Sequence, residues 1–274
     1  MGRPAMTQSL KAPENSWLMR GFVAMRDLNY QMALNCFEKA VKAFPRSHAA
    51  WYSRGMALYH LGHDEAALQA FVQAGQHQPL SHLAWYGCGV ALAELGHIEE
   101  ALTAFDRAIT LRSESYLAWL AKGMMLVEQQ RWQEALPVLQ EALERHPHAA
   151  QTWYGVGVAY LQAGRTTRSR TAFELCVRLQ GDFDLALYGK GLTLLQEERL
   201  HEALEALEAA IAANPQCVLA WFRKAETLEA LGDLKAACVA YDEVLNCGAA
   251  SDTLCTQAQE QRRRISQKLL GVNA

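Results

Sequence analysis

Hydrophobic residues along this chain recur at three-to-four spacing for about 14 residues, break, and resume. That spacing predicts amphipathic helices, and the short breaks predict helix hairpins. The breaks often read Leu-Gly-His or Leu-Gly-Asp, as at Gly62, Gly96 and Gly232. The helix after a break opens on acids such as Glu65, Glu99, Glu100, Glu134 and Glu202. Acids there complement the positive end of the helix dipole.

The hairpins are copies of one another. Trp17, Trp51, Trp85, Trp119 and Trp153 stand 34 residues apart, and the next two steps reach Leu187 and Trp221. Only Trp132 lies off this series. Four residues after each series position come Gly21, Gly55, Gly89, Gly123, Gly157, Gly191 and Ala225. Sixteen after come Ala33, Ala67, Ala101, Ala135, Ser169, Ala203 and Ala237. Twenty after come Phe37, Phe71, Phe105, Leu139, Phe173, Leu207 and Tyr241. Twenty-three after come Ala40, Ala74, Ala108, Ala142, Cys176, Ala210 and Val244. Pro45, Pro79, Pro147 and Pro215 close four of the units. Small residues let two helices approach while Trp and Phe fill the space beside them. One hairpin cannot bury its apolar faces alone, so neighbours must stack.

This pattern resembles the tetratricopeptide repeat family, which places Trp, Gly, Ala, Phe, Ala and Pro at those offsets within 34 residues. The resemblance implies an all-α fold, a right-handed superhelical α-solenoid of helix hairpins. It covers seven contiguous units at 14–47, 48–81, 82–115, 116–149, 150–183, 184–217 and 218–251. Departures sit at Ser169, Cys176, Leu187 and Ala225. Residues 1–13 read as a disordered tail. Residues 252–270 read as a C-terminal capping helix, with Ser251 or Asp252 as its cap and Leu254, Ala258, Ile265 and Leu269 on one apolar face.

Composition narrows function by exclusion. Net charge is −3, from 26 basic and 29 acidic residues, and a nucleic-acid binder is usually strongly basic. No nucleic-acid partner is expected. No apolar run approaches the ~20 residues that span a bilayer, and no signal peptide is recognisable at the N-terminus. Seven cysteines at irregular spacing, with no Cys-x-x-Cys, point to reduced, buried thiols and a cytoplasmic location. The motifs "AWYxRGxAL" and "LGxxEEAL" are similar to repeats common in bacteria.

Candidate chemistry thins out on inspection. "GCG" at Gly87–Gly89 lies inside a helix and lacks the strand-turn setting of a phosphate loop. His146 and His148 flank Pro147 in a turn, and Cys238 and Cys247 have no His at ligand spacing, so no metal or cofactor is expected. No catalytic constellation stands out, and the chain reads as a non-enzyme. The basic stretches "RTTRSR" at 165–170 and "QRRRISQK" on the last helix read as solvated faces. Arg20, Arg54, Lys122, Lys190 and Lys224, one before the periodic Gly, read as stems laid over the previous hairpin with their charges in water.

A second apolar face remains on the first helix of each unit. It centres about 130° from the face that meets the second helix, at ~100° per residue. One residue after each series position stand Leu18, Tyr52, Tyr86, Leu120, Tyr154, Tyr188 and Phe222. Five after stand Phe22, Met56, Val90, Met124, Val158, Leu192 and Glu226. Eight after stand Met25, Tyr59, Ala93, Val127, Leu161, Leu195 and Glu229. A helix apolar on two faces must be buried by something. Tight coiling of the repeats is one cover. An apolar or amphipathic helical segment of a partner protein is the other.

The resemblance implies that this face lines a concave groove where partners bind. The Lys/Asn/Arg clamp of the family's chaperone-binding members is absent. So is the asparagine ladder of sugar-transferase repeats, since the positions two after the series carry Met19, Ser53, Gly87, Ala121, Gly155, Gly189 and Arg223. The expected function is therefore a protein-binding scaffold, adaptor or assembly factor. The candidate groove residues are Leu18, Phe22, Tyr52, Met56, Tyr59, Tyr86, Val90, Leu120, Met124, Val127, Tyr154, Val158, Leu161, Tyr188, Leu192 and Phe222. The alternatives are a sensor holding a small apolar molecule and a self-associating structural subunit, a homo-oligomer.

Overall fold

The computed structural model describes residues 13–247 and 251–269. Among them lie fifteen α-helices and no strand. The first helices of the hairpins are α1 (Pro13–Arg26), α3 (His48–His60), α5 (His82–Glu94), α7 (Tyr116–Glu128), α9 (Ala150–Gln162), α11 (Asp184–Gln196) and α13 (Val218–Ala230). The second helices are α2 (Tyr30–Ala43), α4 (Asp64–His77), α6 (Ile98–Leu111), α8 (Trp132–Arg145), α10 (Thr166–Leu179), α12 (Leu200–Ala213) and α14 (Leu234–Asn246). The final helix is α15 (Asp252–Leu269). Residues 1–12 of the expected tail lie outside the described residues, and Pro13 already opens α1. Leu270, the expected last residue of the cap, also lies outside them.

Each first helix stops in the same way. The residue eleven after the series position adopts a positive φ: Gly62 at 74°, Gly96 at 77°, Gly164 at 67° and Gly232 at 85°. The next amide reaches back to a carbonyl five residues earlier, as in His63 to Leu58 and Asp233 to Leu228. That bond, with a left-handed residue before it, is the Schellman stop. Leu28, Gln130 and Glu198 hold the same conformation, at φ 57°, 58° and 58°. Asn29, Ser47, Ser81 and Asp233 cap helix starts by accepting the amides of Met32, Ala50, Ala84 and Ala236.

Two compact units divide the chain, residues 1–125 and 126–274. In the first, α1–α6 and most of α7 stack as hairpins around Phe37, Phe71 and Phe105, each almost fully buried. The alanines opposite them, such as Ala33, Ala67 and Ala101, are also sealed. The glycine four after each Trp sits against that phenyl ring. A Cβ there would stand 2.3 Å from Phe37 Cε1 at Gly21, 2.6 Å from Phe71 Cε1 at Gly55, and 2.6 Å from Phe105 Cε1 at Gly89. No side chain fits at such distances without moving a core ring. Gly87 packs in the same way on Phe71 of the preceding hairpin, at 2.5 Å.

In the second unit, Leu139, Phe173, Leu207 and Tyr241 take the phenyl position and are fully buried. Ser169 replaces the periodic alanine without leaving a polar group unpaired, because its Oγ donates to the Gly157 carbonyl at 2.8 Å. α15 closes this unit on α14. Ala258 and Ile265 are buried and Leu254 is half-buried, but Leu269 is exposed, contrary to the face expected for it. Ser251 Oγ accepts the Leu254 amide at 3.3 Å, which makes Ser251 the cap.

Three of the basic stems lie over the previous hairpin as expected, but their charges are paired with acids and do not stand free in water. Arg54 meets Glu38 at 4.0 Å, Lys122 meets Asp106 at 2.6 Å, and Lys224 meets Glu208 at 2.8 Å, each pair joining a first helix to the preceding second helix. The basic stretch of α10 is not free in water throughout. Arg170 reaches Glu174 and Glu197, both at 3.2 Å, and Arg168 lies 5.8 Å from the Tyr160 ring. On α15, Arg262 pairs with Asp242 and Arg264 with Glu229.

Candidate functional site

The second apolar face runs along the first helices of the first six repeats, but it is not uniformly open. Leu18, Leu120, Val127 and Phe222 are buried within the hairpin packing. Leu18 belongs to the core around Phe37 and Phe71, and Phe222 sets its ring 5.7 Å from buried Tyr241. These four of the sixteen candidate residues present almost no surface to a partner. Phe222 is thus covered by the second helix of its own hairpin, and Leu18 by the core it shares with Phe37. Phe22 is the opposite case, 49% exposed.

Between these extremes lie the half-buried residues. In the first unit they are Tyr52, Met56, Tyr59, Tyr86, Val90 and Met124. In the second they are Tyr154, Val158, Leu161, Tyr188 and Leu192. Three of the tyrosines are held by the phenyl core of their own hairpins. Tyr52 lies 5.6 Å from Phe71, Tyr86 6.0 Å from Phe105, and Tyr154 6.1 Å from Phe173, with interplanar angles of 50°, 49° and 49°. The repeat of one geometry follows from the repeat of one spacing. Tyr52 also stacks on His48 at 6.1 Å and Tyr154 meets Phe183 at 5.3 Å, and all three rings stay half-buried.

Burial pushes the Tyr52 phenol up to about 12. It also raises Tyr86, Tyr154 and Tyr188 above the usual phenol value, with burial the largest cause in each. These groups are therefore neutral phenols near neutral pH. Tyr59 donates to Glu94 Oε1 at 3.2 Å. A cavity of about 300 Å³ opens between α3, α4 and α5, lined by Met56, Tyr59, His60, Phe71, Tyr86, Gly87 and Val90. Gly87 brings the α5 backbone directly against the Phe71 ring at its floor. In the second unit the face turns acidic at its C-terminal end, where Arg223 pairs with Glu226 at 2.8 Å.

One polar contact between repeats escaped the periodicity. His48 Nε2 shares a hydrogen bond of 2.7 Å with Ser81 Oγ, which also caps α5. Burial, then His77 and His82, lower the His48 pKa. The serine signal was present in the sequence at the cap position, but its contact with a residue 33 positions earlier was not.

Among the described residues, no group of three or more His, Cys, Asp or Glu could hold a metal ion. All seven cysteines are free thiols, and burial pushes Cys88 and Cys176 up to about 11. No described helix is long and apolar enough to cross a membrane.

The tetratricopeptide repeat model matches residues 18–79, 65–116, 86–141, 120–182 and 188–252. The chain belongs to the tetratricopeptide repeat family. Solved tetratricopeptide repeat structures share its fold. A tetratricopeptide repeat protein from Parabacteroides merdae superposes with a TM-score of 0.68 at 13% identity, over 91% of this chain and 98% of that one. PilF of Pseudomonas aeruginosa gives 0.69 at 18%, over 79% and 97%. YrrB, described as a tetratricopeptide repeat protein with an unusual peptide-binding site, gives 0.54 at 24%, over 67% and 95%. No curated protein matches the chain.

Proposed function

We propose that this tetratricopeptide repeat protein is a non-catalytic scaffold that binds an apolar or amphipathic helical segment of a partner protein. The fold is that of a protein–protein interaction scaffold. The finer reading rests on one observation, the repeated half-buried tyrosine. Tyr52, Tyr86 and Tyr154 each lean on a core phenyl at nearly the same angle and stay half-buried. A ring already fixed by packing loses little entropy when a partner covers it. Tyrosine also supplies broad apolar contact with a hydroxyl at its rim. The hollow beside Tyr86 and Val90 suits a helix ridge, as in helix-in-groove recognition. YrrB offers a precedent within the fold for peptide binding.

The test is quantitative capture of partners from the source organism by the wild type and a Tyr86→Ser/Tyr154→Ser double variant. Circular dichroism must first show that the variant keeps the wild-type helix content. Loss of at least one captured partner, by tenfold or more, is the expected result. Equal capture by the two folded proteins removes the tyrosines from the binding surface.

A further inference from the structure

One residue of α4 breaks the register of the array. Twenty-four after each series position the second helices carry Val41, Gly75, Ile109, Leu143, Val177, Ile211 and Leu245. Only the second repeat lacks a branched aliphatic side chain there. Close approach does not require the glycine, because a Cβ on Gly75 would meet only Ala84 Cβ, at 3.7 Å. That is ordinary van der Waals contact. The missing side chain leaves a cavity of about 260 Å³ between α4 and α5, with Phe71, Val72, Pro79, Trp85 and Cys88 among its walls.

Two other departures fall on the same spot. Three other junctions carry the ion pairs Arg54–Glu38, Lys122–Asp106 and Lys224–Glu208, while α8–α9 has Gln140 and Val156 in their place. At α4–α5 the corresponding residues are Val72, 42% exposed, and buried Cys88. The indole bonds differ as well. Trp51, Trp119, Trp153 and Trp221 donate Nε1–H to the carbonyl six residues earlier, at 2.7, 2.9, 2.9 and 3.0 Å. Among the described residues, no such bond joins Trp85 to Pro79. A carbonyl from outside can take that proton.

We propose that this cavity is an anchor site for one branched aliphatic or aromatic side chain of a protein partner, with the Trp85 indole N–H donating to the partner's neighbouring backbone carbonyl. Size selects the occupant. Small-molecule sites usually enclose about 300–1,000 Å³, whereas an apolar cavity of about 150 Å³ already holds a benzene ring. The space therefore fits one side chain better than a whole ligand. Charge agrees with size. A partner covering Val72 strips water from no ion pair, whereas covering the α2–α3, α6–α7 or α12–α13 junction would. Trp85 and Cys88 lie about 150° around α5 from Tyr86 and Val90, at ~100° per residue. The site is thus separate from the tyrosine face, and its test does not depend on that reading.

The experiment uses the whole protein and its Gly75→Val variant, which carries the side chain found in the first and fifth repeats. N-acetyl-leucinamide and N-acetyl-phenylalaninamide serve as probes, and methyl and indole NMR resonances report on Val72 and Trp85. The wild type is expected to shift at these resonances on millimolar probe, and Gly75→Val to bind at least tenfold more weakly. No shift, or an equal shift in both proteins, overturns the site. A second arm selects displayed peptides on the wild type with counter-selection on Gly75→Val. Enriched peptides whose binding falls tenfold on one Leu→Ala or Phe→Ala change support a protein anchor. Probe discrimination without any discriminating peptide overturns the assignment to a protein partner and leaves a free apolar molecule as the occupant.

Discussion

A methyl group added to Gly89 would stand 2.6 Å from Phe105 Cε1, while one added to Gly75 would stand 3.7 Å from Ala84 Cβ. Both glycines lie inside helices, one facing a full core and the other an empty space. The first belongs to the repeat. Gly21, Gly55 and Gly157 meet Phe37, Phe71 and Phe173 in the same way. Where the large residue changes, the demand changes with it. Leu207 leaves 2.9 Å at Gly191, and the seventh repeat pairs buried Ala225 with Tyr241. Gly75 belongs to no pattern, and its neighbours Val72 and Cys88 depart from the pattern beside it. Glycine in a helix says little until the atoms opposite it are known.

Substitution at the crowded site is the harshest way to break this contrast. Gly89→Ala forces the Phe105 ring or α5 to move, and overpacking of this kind costs about 1–3 kcal/mol. Alanine's better helix propensity, worth about 1 kcal/mol over glycine, offsets only part of it. A lower urea midpoint with an unchanged slope is the expected outcome. A midpoint at or above the wild-type value would show that the ring has room, and the two glycines would then be alike.

The opposite sign is expected at the empty site. Gly75→Val gains a few tenths of a kcal/mol in helix propensity. It also buries part of an isopropyl group, at ~0.8 kcal/mol per buried carbon. The sum is a gain of about 1–2 kcal/mol, read as a raised urea midpoint. A loss would mean that the walls at Val72 and Trp85 close on the space in solution.

The same contrast shows what was legible beforehand. The hairpins, their breaks and the phenyl–alanine core follow from positions repeated 34 apart, because identical spacing forces identical packing. The tyrosine face was legible as a pattern of apolar residues, yet the pattern could not divide it. Leu18, Leu120 and Phe222 share their offset with Tyr52 and Tyr86, but they are sealed where the tyrosines are half-open. Which of them is covered depends on side-chain size and on the neighbouring repeat, and periodicity holds neither. The Gly75 cavity was in principle readable as an exception in a column of Val, Ile and Leu. Its meaning needed the distance to Ala84.

A third kind of position gives the smallest effect and completes the contrast, because there the backbone and not packing decides. Gly62, Gly96, Gly164 and Gly232 hold positive φ with nothing within 4 Å of an added Cβ. Gln130 and Glu198 hold the same conformation with side chains, at φ 58° each. A side chain in the left-handed region costs about 1–2 kcal/mol. Glycine's larger freedom in the unfolded chain takes back part of that, about 0.4–1 kcal/mol. Gln130→Gly and Glu198→Gly should therefore each stabilise by roughly 0.5–1 kcal/mol. The two sites are matched, since each precedes an arginine in bidentate pairing at the next helix start, Arg131 with Glu134 and Arg199 with Glu202. Thermal midpoints of the two single variants and the double should rise additively, because the sites lie in different hairpins. If Glu198→Gly leaves the midpoint unchanged, the Schellman bond from the Arg199 amide to the Leu194 carbonyl, 2.9 Å long, already offsets the strain. Glycine would then be needed in this array only where a ring stands opposite it.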